Sequence, residues 1–117
     1  YSTQGVDSDY WYIMERGVAQ ACEDLGYNYL MQSHNNDETL MVSTCQNFIQ
    51  QNVAGLIVSP SKPEALGPVV AAAHASGIPV VVGDMGDGGT DDDGLVLSDN
   101  YGGGVLSANY ILGLFEP

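Results

Sequence analysis

The residues able to do chemistry stand where apolar runs stop. Asp84 follows the run Pro79-Val80-Val81-Val82-Gly83. An ionised carboxylate there accepts hydrogen bonds from two hydroxyl groups, or serves as a turn aspartate tied to its own backbone. Tyr10 and Trp11 open an amphipathic segment. Their rings suit the C–H faces of a small polar molecule whose hydroxyls need partners at the edge; the plainer role is a hydrophobic staple or core packing. Ser59 and Ser98 end two further apolar runs, with Asp99 next in line. They are short enough to reach a hydroxyl directly or to cap the helices that follow. Asp84, Asp87 and Asp91-Asp92-Asp93 offer the oxygens that calcium uses, but lack ligands at alternate positions with a closing glutamate, so a solvated acidic loop is expected. His34 and His74 stand apart with no nucleophile beside them, and no G-x-S-x-G surrounds Ser59. The glycines of Gly83 to Gly89 come without a phosphate-loop lysine or a dinucleotide fingerprint.

The elements that must position these groups follow from periodicity. Gly55 to Val58 and Pro79 to Val82 are short, β-branched runs with the character of strands buried on both faces. Between them Pro63 sits at a helix start, with Ser61 or Lys62 as cap. Leu66, Val69, Val70 and Ala73 recur at helical spacing, and Gly77 ends the helix. The result is a βαβ unit with a right-handed crossover. Upstream, Tyr1-Ser2-Thr3 has the pattern of the end of a strand, and Gln4 to Asp9 is a loop. A helix from about Tyr10 to Leu25 is capped by Ser8 or Asp9 and stopped by Gly26. Its inward face is Met14, Val18, Ala21, Cys22 and Leu25, with Glu15, Gln20, Glu23 and Asp24 toward water. Tyr27 to Gln32 is the next strand. Asp37 caps a helix from about Glu38 to Asn52, with Met41, Cys45, Phe48 and Ile49 inward. Leu95 to Ser98 is the last strand. Ser98-Asp99-Asn100 caps a final helix from about Tyr101, with Val105, Ala108, Ile111 and Leu112 inward.

Alternating strands and helices predict an α/β fold: three layers, α-β-α, around a parallel sheet ordered 2-1-3-4-5. Ligands of such sheets bind beyond the carboxyl ends of the strands, here Ser59-Pro60 and Asp84-Met85. Cys22 and Cys45 fall on helices on opposite faces, out of disulfide reach, and are expected free.

Composition narrows the partners. The 117 residues carry a net charge of −13, with Arg16 and Lys62 the only strong cations. Nucleic acid and anionic membrane surfaces need clustered Lys or Arg, so both are poor partners. The apolar fraction of 44% suffices for one core and one domain. The longest apolar region, Leu66 to Val82, is broken by His74, Ser76, Gly77 and Pro79, too soon to span a bilayer. Two cysteines without CxxC spacing exclude zinc and thioredoxin-like chemistry.

In this order the pieces resemble the amino-terminal lobe of type I periplasmic sugar-binding proteins, the ribose-binding-protein-like group. The ligand-binding cores of lactose-repressor-like regulators share that lobe. The matching pieces are Ser2-Thr3 with Tyr10-Trp11; Gly17 and Leu25-Gly26-Tyr27; and Gln46 with Val53-Ala54-Gly55-Leu56-Ile57-Val58-Ser59-Pro60. They continue with Gly77-Ile78-Pro79-Val80-Val81-Val82, Asp84, and Ser98-Asp99-Asn100 with Gly102 to Gly104.

The resemblance implies that residues 1–117 are a partial amino-terminal lobe of a two-lobed protein whose carboxy-terminal lobe is missing. It implies a monosaccharide or polyol held between the lobes and delivered to the membrane permease of an ABC importer. No bond is made or broken, and no cofactor or metal is needed. The protein would be periplasmic or extracellular, with or without a lipid anchor. The other implied function is the effector-binding core of a transcription regulator, which the acidic surface disfavours. Ligand contacts in this lobe would come from Ser8, Asp9, Tyr10, Trp11, Ser59, Asp84, Met85, Ser98 and Asp99. Met85 stands where ribose binders often carry arginine, so the ligand need not be ribose.

Overall fold

The structure, a computed structural model, describes residues 1–115. Five parallel strands form one sheet: β1 (Ser2–Thr3), β2 (Gln32–Ser33), β3 (Leu56–Val58), β4 (Val80–Gly83) and β5 (Gly94–Val96), in the order 2-1-3-4-5. The helices are α1 (Asp9–Leu25), α2 (Glu38–Gln50), α3 (Leu66–Ala75) and α4 (Asn100–Phe115), with a 3-10 turn over Pro63–Ala65 leading into α3. The α/β class and strand order are those the periodicity predicts.

Local chemistry explains most of the boundaries. Ser8 accepts a hydrogen bond from the Trp11 amide at 3.3 Å, and Asp37 one from the Leu40 amide at 2.8 Å. Gly26 closes α1 at φ 77° and Gly77 follows α3 at φ 72°, both in the left-handed region. Two strands are shifted from their predicted positions, β2 later in the chain and β5 earlier. β2 begins at Gln32 rather than Tyr27, because its ladder needs β1 opposite it: the Gln32 amide donates to the Tyr1 carbonyl and the His34 amide to Thr3. β5 is Gly94–Val96 rather than Leu95 to Ser98, since its register is set by β4, with Val81 opposite Gly94 and Gly83 opposite Val96.

The core lies on one face of the sheet. Leu56 and Val58 of β3 and Val80 and Val82 of β4 meet Met41, Cys45 and Phe48 of α2 and Leu66, Val69, Val70 and Ala73 of α3. Strand alternation turns Ile57 and Val81 to the other face, where α1 runs. Cys22 and Cys45 are free.

Two predicted faces are corrected. Glu15 does not face water: it is the one buried residue of α1, and its carboxylate accepts a 3.0 Å hydrogen bond from the Tyr29 hydroxyl. Ala21 and Leu25 are exposed. In α4 the predicted inward residues Val105, Ile111 and Leu112 are all exposed, as is Ala108. A helix buries an apolar stripe only against an opposing surface, and the described residues place none over α4, which has no buried residue.

Candidate functional site

The loops after β1, β3, β4 and β5 emerge at the carboxyl edge of the sheet, where α1 also begins. Beneath this edge lies a layer of buried polar groups. The Tyr1 hydroxyl and Ser59 Oγ are 2.8 Å apart, and Ser59 Oγ also lies 3.8 Å from Met14 Sδ. His34, fully buried at the end of β2, has Nε2 2.8 Å from the Ser59 carbonyl. A carbonyl only accepts, so Nε2 carries the proton. Gln4 Nε2 donates to the Pro60 carbonyl at 2.7 Å, tying the β1–α1 loop to the end of β3. Thus four side chains fix the path of Ser59-Pro60.

Asp84 sits above that layer. Its amide donates to the Val96 carbonyl at 2.8 Å, and the Met85 amide donates back to the Gly83 carbonyl at 3.0 Å. Asp84 spans this one-residue turn at φ 75°, a conformation that costs a non-glycine residue about 1–3 kcal/mol. Asparagine and aspartate tolerate it best. The Asp84 carboxylate does not fold onto its own backbone. Its Oδ1 accepts a hydrogen bond from the Tyr10 hydroxyl at the start of α1. That neighbouring carboxylate, with a smaller effect of desolvation, raises the Tyr10 phenol above its ordinary value of 10. Tyr10 and Trp11 meet edge to face, ring centroids 5.0 Å apart at 85°. Gly83 allows α1 to come this close: a β-carbon there would lie 2.7 Å from Met14 Cε.

The fold therefore brings Tyr10, Trp11, Asp84 and Met85 to one place, with Trp11, Asp84 and Met85 half-buried and Tyr10 open to solvent. The remaining predicted groups are placed differently. Ser59 was expected to reach a ligand directly, but its hydroxyl is fully buried and already bonded to Tyr1, so it supports the edge from below. Ser8 and Asp99 act as helix caps, Asp99 Oδ1 accepting from the Gly102 amide at 2.9 Å. Asp9 lies exposed in the first turn of α1, where the helix dipole favours a carboxylate, and Ser98 is exposed just before Asp99. Within the acidic loop Asp87 and Asp92 lie close together. Asp87 accepts from the Gly89 amide at 2.9 Å, while Asp93 turns away to the Val80 amide at 2.7 Å and to His74 Nε2 at 2.8 Å.

Residue reasoning missed Tyr1, Gln4, Met14 and His34 as parts of this edge. The available signal was position: each stands at a strand end or on the sheet-facing side of α1.

Comparison with known proteins agrees with the geometry. A family model described as a periplasmic binding protein domain matches residues 1–115. The ribose import binding protein RbsB of Bacillus subtilis is 27% identical over 110 residues, covering 94% of this chain and 36% of that protein. A solute binding protein of an ABC transporter from Clostridium phytofermentans, solved with β-D-glucose bound, superposes with a TM-score of 0.88 at 26% identity, covering 99% of this chain and 37% of that one. The arabinose binding protein of Geobacillus stearothermophilus gives a TM-score of 0.86 at 27% identity, covering 97% and 39%. The chain thus spans little more than a third of the length of these relatives. Fold, strand-end geometry and family match together show that the chain belongs to the periplasmic binding protein family.

Proposed function

We propose that this chain is the amino-terminal lobe of a two-lobed sugar-binding protein, and that it supplies one wall of a cleft for a monosaccharide or polyol. The observation that carries this reading is the meeting of Tyr10 with Asp84 at the carboxyl edge, with Trp11 packed against Tyr10. Ring faces cover C–H groups, and a carboxylate takes the hydroxyl protons beside them. Met85 lines the same edge. The whole protein works outside the cytoplasm and hands its ligand to an ABC permease; the match to a periplasmic binding protein domain and relatives named as an import binding protein and an ABC transporter solute binding protein support this. It binds without making or breaking bonds.

Trp11 is the single tryptophan of the chain and a built-in reporter. In the complete two-lobed protein a matching sugar should change an emission component that Trp11→Phe abolishes. Trp11→Ala should weaken binding by loss of ring contact. The titration runs over pentoses, hexoses and polyols, with amino acids and nucleotides as counter-ligands. Response to an amino acid or nucleotide and to no sugar would refute the assignment while leaving the fold intact.

A further inference from the structure

We infer that Tyr10 is a specificity-determining residue: by occupying one oxygen of Asp84 it turns this half of the cleft into a surface of hydrogen-bond acceptors, which takes neutral or cationic sugars and rejects sugar acids. The inference rests on the sugar-binding reading above and goes beyond it in naming the charge class of the ligand.

Three observations carry it. First, the Tyr10 hydroxyl proton is spent on Asp84 Oδ1. What remains for a ligand is the phenol oxygen lone pair and the second carboxylate oxygen, both acceptors. Tyr10 is 52% exposed, so the pair is open to a ligand and not sealed in the core. Second, the backbone holds Asp84 in place. Its amide is committed to Val96 and the next amide to Gly83, so the turn that carries the carboxylate is fixed opposite the start of α1. Third, among the described residues no Arg or Lys stands without a carboxylate beside it. The two strong cations of the chain are Arg16 and Lys62. Arg16 lies beside Glu15, and Lys62 Nζ is 3.5 Å from Glu38 Oε2, on the first turn of α2. A ligand carboxylate at this edge would meet Asp84 and the phenol oxygen with no compensating charge, a desolvated like-charge contact. A hydroxyl or ammonium donor meets two acceptors already aligned.

The chain itself allows a test without ligand. It has seven tyrosines, so the difference between the near-ultraviolet tyrosinate titrations of wild type and Tyr10→Phe isolates Tyr10. Tyr10 should ionise at higher pH in wild type than in Asp84→Asn, a variant that keeps a residue tolerant of the turn. Identical titrations would overturn the inference. The second arm measures affinity in the complete protein for D-ribose, D-xylose, D-glucose, D-glucosamine and D-glucuronate. Tyr10→Phe keeps the ring and should lower affinity for the best neutral sugar about fivefold, the loss of one ordinary hydrogen bond. D-glucosamine should bind at least as well as D-glucose, and D-glucuronate far more weakly. A sugar that binds wild type and Tyr10→Phe equally, or glucuronate binding as tightly as glucose, overturns this inference alone. Silence from every sugar overturns the reading beneath it as well.

Discussion

His34 offers the sharpest test of how the edge is built. It is fully buried, donates from Nε2 to the Ser59 carbonyl at 2.8 Å, and leaves Nδ1 buried without a partner. Burial pushes its pKa below the ordinary 6.5; the bond to Ser59 and the charge of Asp37 oppose that more weakly. The native state therefore holds the neutral ring, and the unfolded chain takes up the proton first as pH falls. This contribution to stability is fully present above the unfolded value near 6.5. It is lost below that value at up to ~1.36 kcal/mol per pH unit, until the folded pKa is reached. His34→Gln keeps an N–H donor for Ser59 and removes the titration, so its urea midpoint should vary less than wild type between about pH 7.5 and 5.5. His34→Ala leaves the Ser59 carbonyl unpaired in the interior and should cost about 1–3 kcal/mol at neutral pH, with the lost packing adding to it. Urea unfolding across a pH series of the three proteins decides the matter. A His34→Gln profile as steep as wild type would refute the reasoning.

Three more outcomes follow from the geometry. Gly88→Ala should destabilise more than Gly83→Ala. At Gly88 (φ 65°) a β-carbon would lie 2.6 Å from the Pro63 carbonyl oxygen, which is backbone, whereas at Gly83 it meets the flexible end of Met14; thermal melts of the two variants should rank accordingly. Cys45, fully buried with its thiol pushed up to about 11 by burial, should resist alkylation in the native protein until it unfolds. Half-buried Cys22 should react first, and mass spectrometry of the labelled peptides would show the order. Asp93→Ala should speed hydrogen exchange at the Val80 amide, since that amide donates to the Asp93 carboxylate at the start of β4; unchanged exchange would mean the bond is not formed in solution.

Much of this architecture was legible because it is local. Caps at Ser8, Asp37 and Asp99, the stops at Gly26 and Gly77, and the apolar stripe of α3 each depend on a few adjacent residues. What escaped depends on partners distant in sequence. Glu15 reads as a solvent-facing residue of α1 until Tyr29 is seen to cover it. Ser59 reads as a surface hydroxyl at a strand end until Tyr1, 58 residues away, takes its oxygen. The ladders of β2 and β5 were misplaced by residues for the same cause: a strand begins where its neighbour offers a partner, and single-strand patterning carries no register. α4 shows the converse. Its apolar residues gave a helix, but which of them are inward is decided by an opposing surface and not by the helix.

The two groups that meet at the edge come from elements held with unequal firmness, and this bears on how the site works. Asp84 follows β4, which pairs with β3 on one side and β5 on the other and sends Val80 and Val82 into the core. Tyr10 and Trp11 ride on α1, which buries only Glu15 and touches the sheet edge through Met14. The Tyr10–Asp84 hydrogen bond therefore joins a loosely packed helix start to a well-fixed strand end. On the sugar-binding proposal, a ligand spanning Trp11 and Asp84 would add contacts across the same gap, so its binding and the ordering of the first turn of α1 would draw on the same interactions. That proposal expects Trp11, rather than any residue of the α2–α3 face, to respond first to occupancy of the cleft, as a ligand-dependent change in its emission would show.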